Sequence, residues 1–461
     1  MAARAVPGIA PATRELQAML DGSLHLPGDP GYDRARTPWN LAVDQRPAAV
    51  AVPRNAAEVV RVVRAAAALG LRVAPQSSGH NAGPLAGRLS EAVLLSLSGL
   101  SAVAVDRERR VARVTGGAAW QQVAEAADAF GLAGLHGSGP DIAVAGYTLG
   151  GGLSWYARKF GLACNHVDAV EVVTADGRLR RVHANHEPEL FWALRGGGGN
   201  FGVVTALDLR LLPLRDVYAG VLLWDASRAP EVCRAWAEWT HDLPEEATTS
   251  LRLLGRSGLS RSGNLFPPGE LVVIDGAVLA DDDRAGDLLA PLRALRPTID
   301  TFSRVAARSL TRLHFDPELP TAGVSDSLLL DDVDGDAVDA LLSVAGPGSR
   351  SSLVSAEIRH LGGALGRSDP AGGALPQLAG EYSGFFLAGG ATSEQAERGR
   401  TDAAAAVAAL QPWSRGRRLG NFTESRVEPA SLYDPGTLAR LRSVRAQVDP
   451  SGVFLANHGL A

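Results

Sequence analysis

Residues 189–211, ELFWALRGGGGNFGVVTALDLRL, carry glycines at 197, 199 and 202 in the spacing GxGxxG. In a dinucleotide-binding βαβ unit that spacing follows a strand and opens a helix, so that a pyrophosphate meets the helix N-terminus. Here the order is reversed. ELFWAL (189–194) has the spacing of a short helix, and VVTALDLRL (203–211) alternates like a strand. The reversal argues against a Rossmann NAD site, and a Walker A loop is excluded because no GK[ST] occurs.

Glycine recurs in other loops. HGSGPDIAVAGYTLGGGLSW (136–155) has it at 137, 139, 146, 150, 151 and 152, and QSSGHNAG (76–83) places His80 on a turn of small residues just after the apolar run RVAP. Such loops suit backbone amides aimed at an anion, since only glycine lets the chain come so close and turn with positive φ.

The rest of the composition narrows the class. With 461 residues, 46% hydrophobic and 21% charged, the chain has length for about two or three cores and no disordered bias. A formal charge of −5, without a basic tail or basic helix, gives no attraction for nucleic acid or anionic lipid, so neither is expected as a partner. Cys164 and Cys233 form no CxxC, which argues against a disulfide framework or thiolate zinc and fits a reducing, cytoplasmic setting. MAARAVPGIAPATRELQAML lacks an apolar core of signal length, and no run reaches about 18 apolar residues.

Around the glycine loops the periodicities alternate between helix and strand. AAEVVRVVRAAAAL (56–69) puts Val59, Val63 and Ala66 or Ala67 on one helical face before Gly70, and AVLLSLS (92–98) reads as a buried strand. AVAVDRERRVARVTGG (102–117) and VDAVEVVTADGRLRRV (167–182) read as hairpins, the second with Asp176-Gly177 at its turn. AWQQVAEAADAFG (119–131) and HEPELFWAL (186–194) read as helices. After about residue 214 longer strands, GELVVIDGAVLA (269–280) and SSLVSAEIRHLGG (351–363), alternate with helices such as SEQAERGRTDAAAAVAAL (393–410). The C-terminal 433–461 reads as a helix, an Asp-Pro turn and a short apolar strand. His183, His186 and His458 have no metal-ligand spacing, so no metal is expected.

Four stretches, taken together, carry a resemblance: RPAAVAVPRNAAEVVRVVRAAAALGLRVAPQSSGHN (46–81), SGPDIAVAGYTLGGGLSWYARKFGL (138–162), VTADGRLRRV with PELFWALRGGGGNFGVVTAL (173–207), and VDPSGVFLANHGL (448–460). The chain resembles the FAD-linked oxidoreductases of the vanillyl-alcohol oxidase type, most closely the berberine-bridge-enzyme-like branch. The resemblance implies an α+β flavoprotein of two domains. A PCMH-type FAD-binding domain of two α+β lobes would span 1–214 (core about 42–214), and a substrate-binding domain with an antiparallel sheet backed by helices would span 215–414. Residues 415–461 would return to the FAD domain.

By position the resemblance makes His80 the residue bonded to the 8α-methyl carbon of the flavin. Gln76, Ser77, Ser78, Gly79 and Asn81 would line the cofactor around it. From the second loop it adds Ser138, Gly139, Asp141, Ile142, Val144, Ala145, Gly146, Gly150, Gly151, Gly152 and Leu153. Asn200, Gly202, Val204 and Asn457 complete the set. Gly139 stands where many members carry a second, cysteinyl attachment, which implies a monocovalent 8α-histidyl FAD. LGNF (419–422) replaces the Tyr-x-Asn-Tyr that often supplies a base, so Tyr147, Tyr382, Arg359 and Glu357 become the catalytic candidates, with Glu424 a further carboxylate. Alternation on SAEIRH puts Glu357 and Arg359 on one face and His360 on the other.

The activity implied is oxidation of an alcohol, hemiacetal or secondary-metabolite intermediate by hydride transfer to flavin N5, with molecular oxygen as acceptor and hydrogen peroxide as product. Ile142, at the position that governs oxygen's approach, leaves open a dehydrogenase with another acceptor. Leu419, in place of tyrosine, leaves open a flavin-binding scaffold without turnover. Oligomeric state is not legible.

Overall fold

The computed structural model describes residues 11–20, 24–255 and 269–461. Residues 1–10 of the expected first domain and 256–268 of the expected second lie outside them.

Two small sheets come first. β1 (Leu24–His25), β2 (Ala49–Ala51), β3 (Arg72–Gln76) and β4 (Ala92–Ser96) form a sheet in the order β1-β2-β4-β3, with β2, β3 and β4 parallel. The helix Ala56–Ala68 connects β2 to β3. It starts where Asn55 accepts the Glu58 N–H at 3.0 Å, buries Val59, Val62, Val63 and Ala66, and ends before Gly70 at φ +68°. β3 therefore delivers the chain straight into the His80 turn.

The second sheet comprises β5 (Val103–Asp106), β6 (Val111–Thr115), β7 (Val167–Val173), β8 (Leu179–Val182) and β9 (Val203–Arg210), antiparallel in the order β5-β6-β9-β7-β8. β9 is central and buried from Val203 to Leu209, so the glycine loop before it is anchored on a strand rather than on a helix N-terminus.

The third sheet is larger and wholly antiparallel. It holds β10 (Asp216–Asp225), β11 (Ala247–Leu254), β12 (Leu271–Val278), β13 (Ile299–Asp300), β14 (Ser303–Ala306), β15 (Gly323–Leu330), β16 (Leu353–His360) and β17 (Tyr382–Gly389). Leu251, Leu253, Ile274, Ile358 and Phe386 pack on one face against Trp236, Leu289, Val338 and Ala403 from the helices 229–241, 282–293, 335–345 and 393–410. Because strand side chains alternate, Ser250, Arg252, Asp275, Glu357, Arg359 and Phe385 point the other way.

The C-terminal chain comes back to β3. Val73 donates to Val453 O at 2.8 Å and accepts from Leu455 N at 2.9 Å. The strand expected there is reduced to one parallel bridge, Val73 with Phe454, because the Asp449 carboxylate takes the Val453 and Phe454 N–H groups at 2.7 and 3.0 Å.

Arg158, in the short helix Ala157–Phe160 after the second glycine loop, fastens that loop to the large sheet. Its guanidinium donates to the carbonyls of Leu361 (2.6 Å), Pro244 (3.2 Å), Ala247 (2.8 Å) and Leu243 (3.0 Å). Burial lowers its pKa only to about 10, so it stays cationic at neutral pH. Arg158→Ala strands four carbonyls and is expected to cost at least about 3 kcal/mol in chemical denaturation. Arg158→Lys recovers little, because an ammonium lacks the planar fork.

Candidate functional site

A long cleft runs between the two small sheets and reaches the polar face of the large one. Its walls come from the His80 turn, the second glycine loop, the loop 196–199, the segment 419–422 and Asn457 with His458. Of the residues the sequence nominated for cofactor contact, Gln76, Ser77, Ser78, Gly79, His80, Asn81, Ser138, Ile142, Ala145, Gly146, Gly150, Leu153, Gly202, Val204 and Asn457 line it.

Six nominated residues stand behind the wall instead. Val144 is fully buried in the core, as its place in the helix Val144–Leu149 requires. Gly151 and Gly152 turn with φ +119° and +78°, and Gly152 N donates to Asn421 Oδ1 at 2.9 Å. Asn200 shapes the loop by donating to Gly197 O and His458 O, each at 2.9 Å. Gly139 backs onto Ile142, and Asp141 sits beside His80 without lining the cleft.

The cleft fits an extended diphosphate cofactor. A Cβ built on Gly146 or Gly199 would meet nothing within 4 Å, so at both positions the backbone itself is the surface offered to a ligand. Gly79 is needed for another reason. Its φ of +81° and a 2.8 Å approach of a Cβ to Pro38 leave room for no side chain. The carboxamide oxygen of Asn81, in the lining, is buried without a protein partner. FAD is a group whose phosphates and ring edge suit such a lining.

A second cavity adjoins the cleft and shares Ser138, Arg359 and Phe422 with it. Leu254, Phe315, Val354, Phe385 and Leu387 give it apolar walls. Its floor is a buried chain of charges across β12, β11 and β16. Arg252 Nη2 lies 2.6 Å from Asp275 Oδ2, His314 Nδ1 2.9 Å from the same oxygen, His314 Nε2 3.1 Å from Glu357 Oε2, and Arg359 Nε 2.7 Å from Glu357 Oε1. The Arg359 guanidinium lies 5.0 Å over the Trp155 ring and 5.7 Å over Phe422.

Charge is retained in this cluster despite burial. Burial and Arg252 oppose protonation of His314, yet Asp275 and Glu357 outweigh them and raise its pKa to about 9. For Glu357 burial is again the opposing cause, and Arg359 with His314 holds its carboxyl far below the usual range. Asp275 is likewise lowered against burial by Arg252 and His314.

The nominated catalytic residues divide. Arg359 and Glu357 reach this cavity. Tyr147 lines the cleft, but its hydroxyl donates to Leu135 O at 3.0 Å, and burial raises its pKa well above 10. Tyr382 is on the helix side of the sheet, with its hydroxyl 2.9 Å from Thr240 Oγ1 and its ring stacked on His360 at 5.1 Å. Both hydroxyls are thus engaged within the protein, and Tyr382 lines neither cavity. Glu424 lies outside both cavities, 3.4 Å from Asn40 Nδ2, and burial raises its pKa to about 7. Cys164 is fully buried, its pKa pushed up by burial to about 12, so it offers no thiolate for a second attachment. Among the described residues no cluster could hold a metal ion.

Arg252, Asp275, His314, Asp316 and Trp155 were not nominated. Arg252 in TTSLRLL and Asp275 in LVVIDGAV are lone charges inside apolar strands, a signal of a buried pair that the sequence does offer. His314 and Asp316 lie in a loop without periodicity and have no such signal.

Between pH 6.5 and about 9 the folded chain holds the His314 proton that the unfolded chain has released. Stability should therefore fall as pH climbs through that window and be fully supported below it. Urea titrations across pH 6–10 should show this slope, and His314→Gln should flatten it.

Residues 47–183 match the FAD binding domain family FAD_binding_4. (R)-6-hydroxynicotine oxidase of Paenarthrobacter nicotinovorans is 26% identical over 96% of this chain and 97% of its own length. Physcomitrella patens BBE-like 1 superposes with a TM-score of 0.85 at 19% identity, covering 98% of this chain and 99% of that one. Glucooligosaccharide oxidase from Acremonium strictum, described with a 6-S-cysteinyl, 8α-N1-histidyl FAD, superposes with a TM-score of 0.82 at 22% identity over 95% and 98%. No described helix is long and apolar enough to cross a membrane. Residues 47–183 are thus part of a PCMH-type FAD-binding domain, and the chain built around it is an FAD-linked oxidoreductase.

Proposed function

We propose that this oxidoreductase is an oxidase with FAD attached covalently through His80 alone, acting on a small alcohol, hemiacetal or secondary-metabolite intermediate with molecular oxygen as acceptor. The observation that carries the reading is the seam at Ser138, Arg359 and Phe422, where the two cavities meet. The cleft takes the cofactor and the second cavity the substrate, so residues 215–414 act as the substrate domain. Two buried, unpaired thiols accord with a reducing cytoplasmic setting.

Bound FAD supplies a hydride acceptor at N5. The protein's part is to orient the substrate and manage its proton. Arg359 has its Nε occupied by Glu357, while its outer nitrogens make no hydrogen bond to the described residues. They suit a substrate oxygen that gains negative charge as its proton leaves. Glu357 and His314 hold Arg359 in place. Asp316, whose Oδ2 accepts the Ser138 hydroxyl at 2.8 Å, is the carboxylate of this cavity outside the ion-pair chain and acts as proton acceptor. Phe315, Phe385 and Phe422 select a compact, partly apolar substrate and exclude water.

Acid precipitation tests the linkage: the wild-type pellet should be yellow and fluorescent, and His80→Ala should release all FAD to the supernatant. Asp316→Asn should lower kcat by about 10²–10⁴ with the flavin still bound. Anaerobic mixing with candidate alcohols should bleach the flavin and air should restore it. Absence of bleaching across a broad panel would count against turnover, and bleaching that air fails to reverse would mean another acceptor.

A further inference from the structure

The His80 ring is engaged on three sides. Trp39 lies flat against it, with centroids 4.1 Å apart and planes 15° from parallel. Its Nδ1 is 2.8 Å from Ser78 Oγ, and its Nε2 is 3.6 Å from Asp141 Oδ1. The Trp39 indole N–H donates to the other oxygen of Asp141, and the Trp39 backbone N–H donates to Ser78 O at 3.0 Å. Trp39 thus ties the carboxylate and the turn into one unit.

Asp141 Oδ1 is buried and has no hydrogen-bond partner. An unpaired carboxylate oxygen is costly to bury, and the nearest group that can relieve it is the Nε2–H of His80. Ser78 lines the cofactor cleft beside His80, whereas Asp141 does not. The ring therefore turns Nδ1 toward Ser78, a residue of the cleft, and backs Nε2 onto the carboxylate.

We propose that Asp141 is the positioning residue for flavin attachment: it fixes the His80 tautomer with the proton on Nε2, which leaves Nδ1 unprotonated, its lone pair held by the Ser78 hydroxyl until the cofactor takes that hydroxyl's place, and it accepts the Nε2 proton as the bond forms. This rests on the His80 linkage proposed above. The C–N bond joins Nδ1 to the flavin 8α-carbon. One proton leaves the 8α-methyl group to solvent, and the second passes from Nε2 to Asp141. The electron pair of the broken C–H bond remains on the flavin ring, and dioxygen then takes it up with two protons as hydrogen peroxide. Trp39 limits the ring's rotation, and its N–H holds Asp141 at the distance from which Nε2 can be reached.

The test compares wild type, Asp141→Asn, Asp141→Ala, Asp141→Glu and His80→Ala, each purified with its flavin. Two quantities are read: total bound FAD, and the fraction that stays in the acid pellet. Asp141→Asn and Asp141→Ala should retain bound FAD while the acid-stable fraction falls at least ten-fold at equal times, and Asp141→Glu should recover part of it. A purely structural role would lower total FAD and leave the ratio unchanged, which would overturn the proposal, as would a wild-type ratio in Asp141→Asn. A wild-type pellet without flavin would instead remove the His80 linkage itself. A second measurement needs no variant. NMR of the flavin peptide from the wild-type protein should show attachment at Nδ1, and attachment at Nε2 would refute the assigned tautomer.

Discussion

Five charged side chains are buried side by side on one sheet face, and none could remain there without its neighbours. Arg252, Asp275, His314, Glu357 and Arg359 run as an alternating series in which every carboxylate lies between two cations. Removing one member leaves an uncompensated charge in a low-dielectric setting, which costs far more than the pair contributes when intact. The series therefore acts as a rigid unit, and its end, Arg359, is held at the seam between the two cavities. Sheet register creates the arrangement, because Ser250 stands opposite both Asp275 and Arg359, and Arg252 opposite Glu357.

The cofactor side follows a different principle. Its walls combine exposed glycine backbone with apolar side chains such as Ile142 and Leu153, and they come from segments far apart in the chain: the turn after β3, the loops before the helix 144–149 and before β9, and the C-terminal return. Each is fixed at one end by a strand or by a buried polar contact. Asn421, for example, bonds both Gly152 N and Tyr147 O, at 2.9 and 3.2 Å, and so holds the second loop against the segment 419–422. Phe422 belongs to both halves of the site, since its ring packs on Phe385 at 5.4 Å and lies beneath Arg359.

Local signals were strong where a residue's own neighbours impose its conformation. The helix 56–68 with its Asn55 cap, the Asp176-Gly177 hairpin, and the helix 393–410 are readable because period and termini agree. The face assigned to Glu357 and Arg359 is likewise a matter of two-residue alternation. For the phenols, residue type carries no information about direction. Tyr147 and Tyr382 each satisfy a buried hydroxyl within the protein, at Leu135 O and Thr240, and neither requirement is encoded next to them. The C-terminal strand failed as a strand because Asp449 competes for its amides.

By itself the sequence determined the order of helices and strands, the places where glycine brings backbone close to a ligand, and the position of His80 at the end of β3. Those are consequences of torsional freedom and of side-chain periodicity over a few residues. Only the tertiary structure decided which charges meet across strands, which tyrosines are silenced by internal hydrogen bonds, and that Asp141 and Trp39 close around His80. These contacts join residues up to 142 positions apart, as Thr240 and Tyr382 are, and the low dielectric that gives them their strength exists only once the domains are packed.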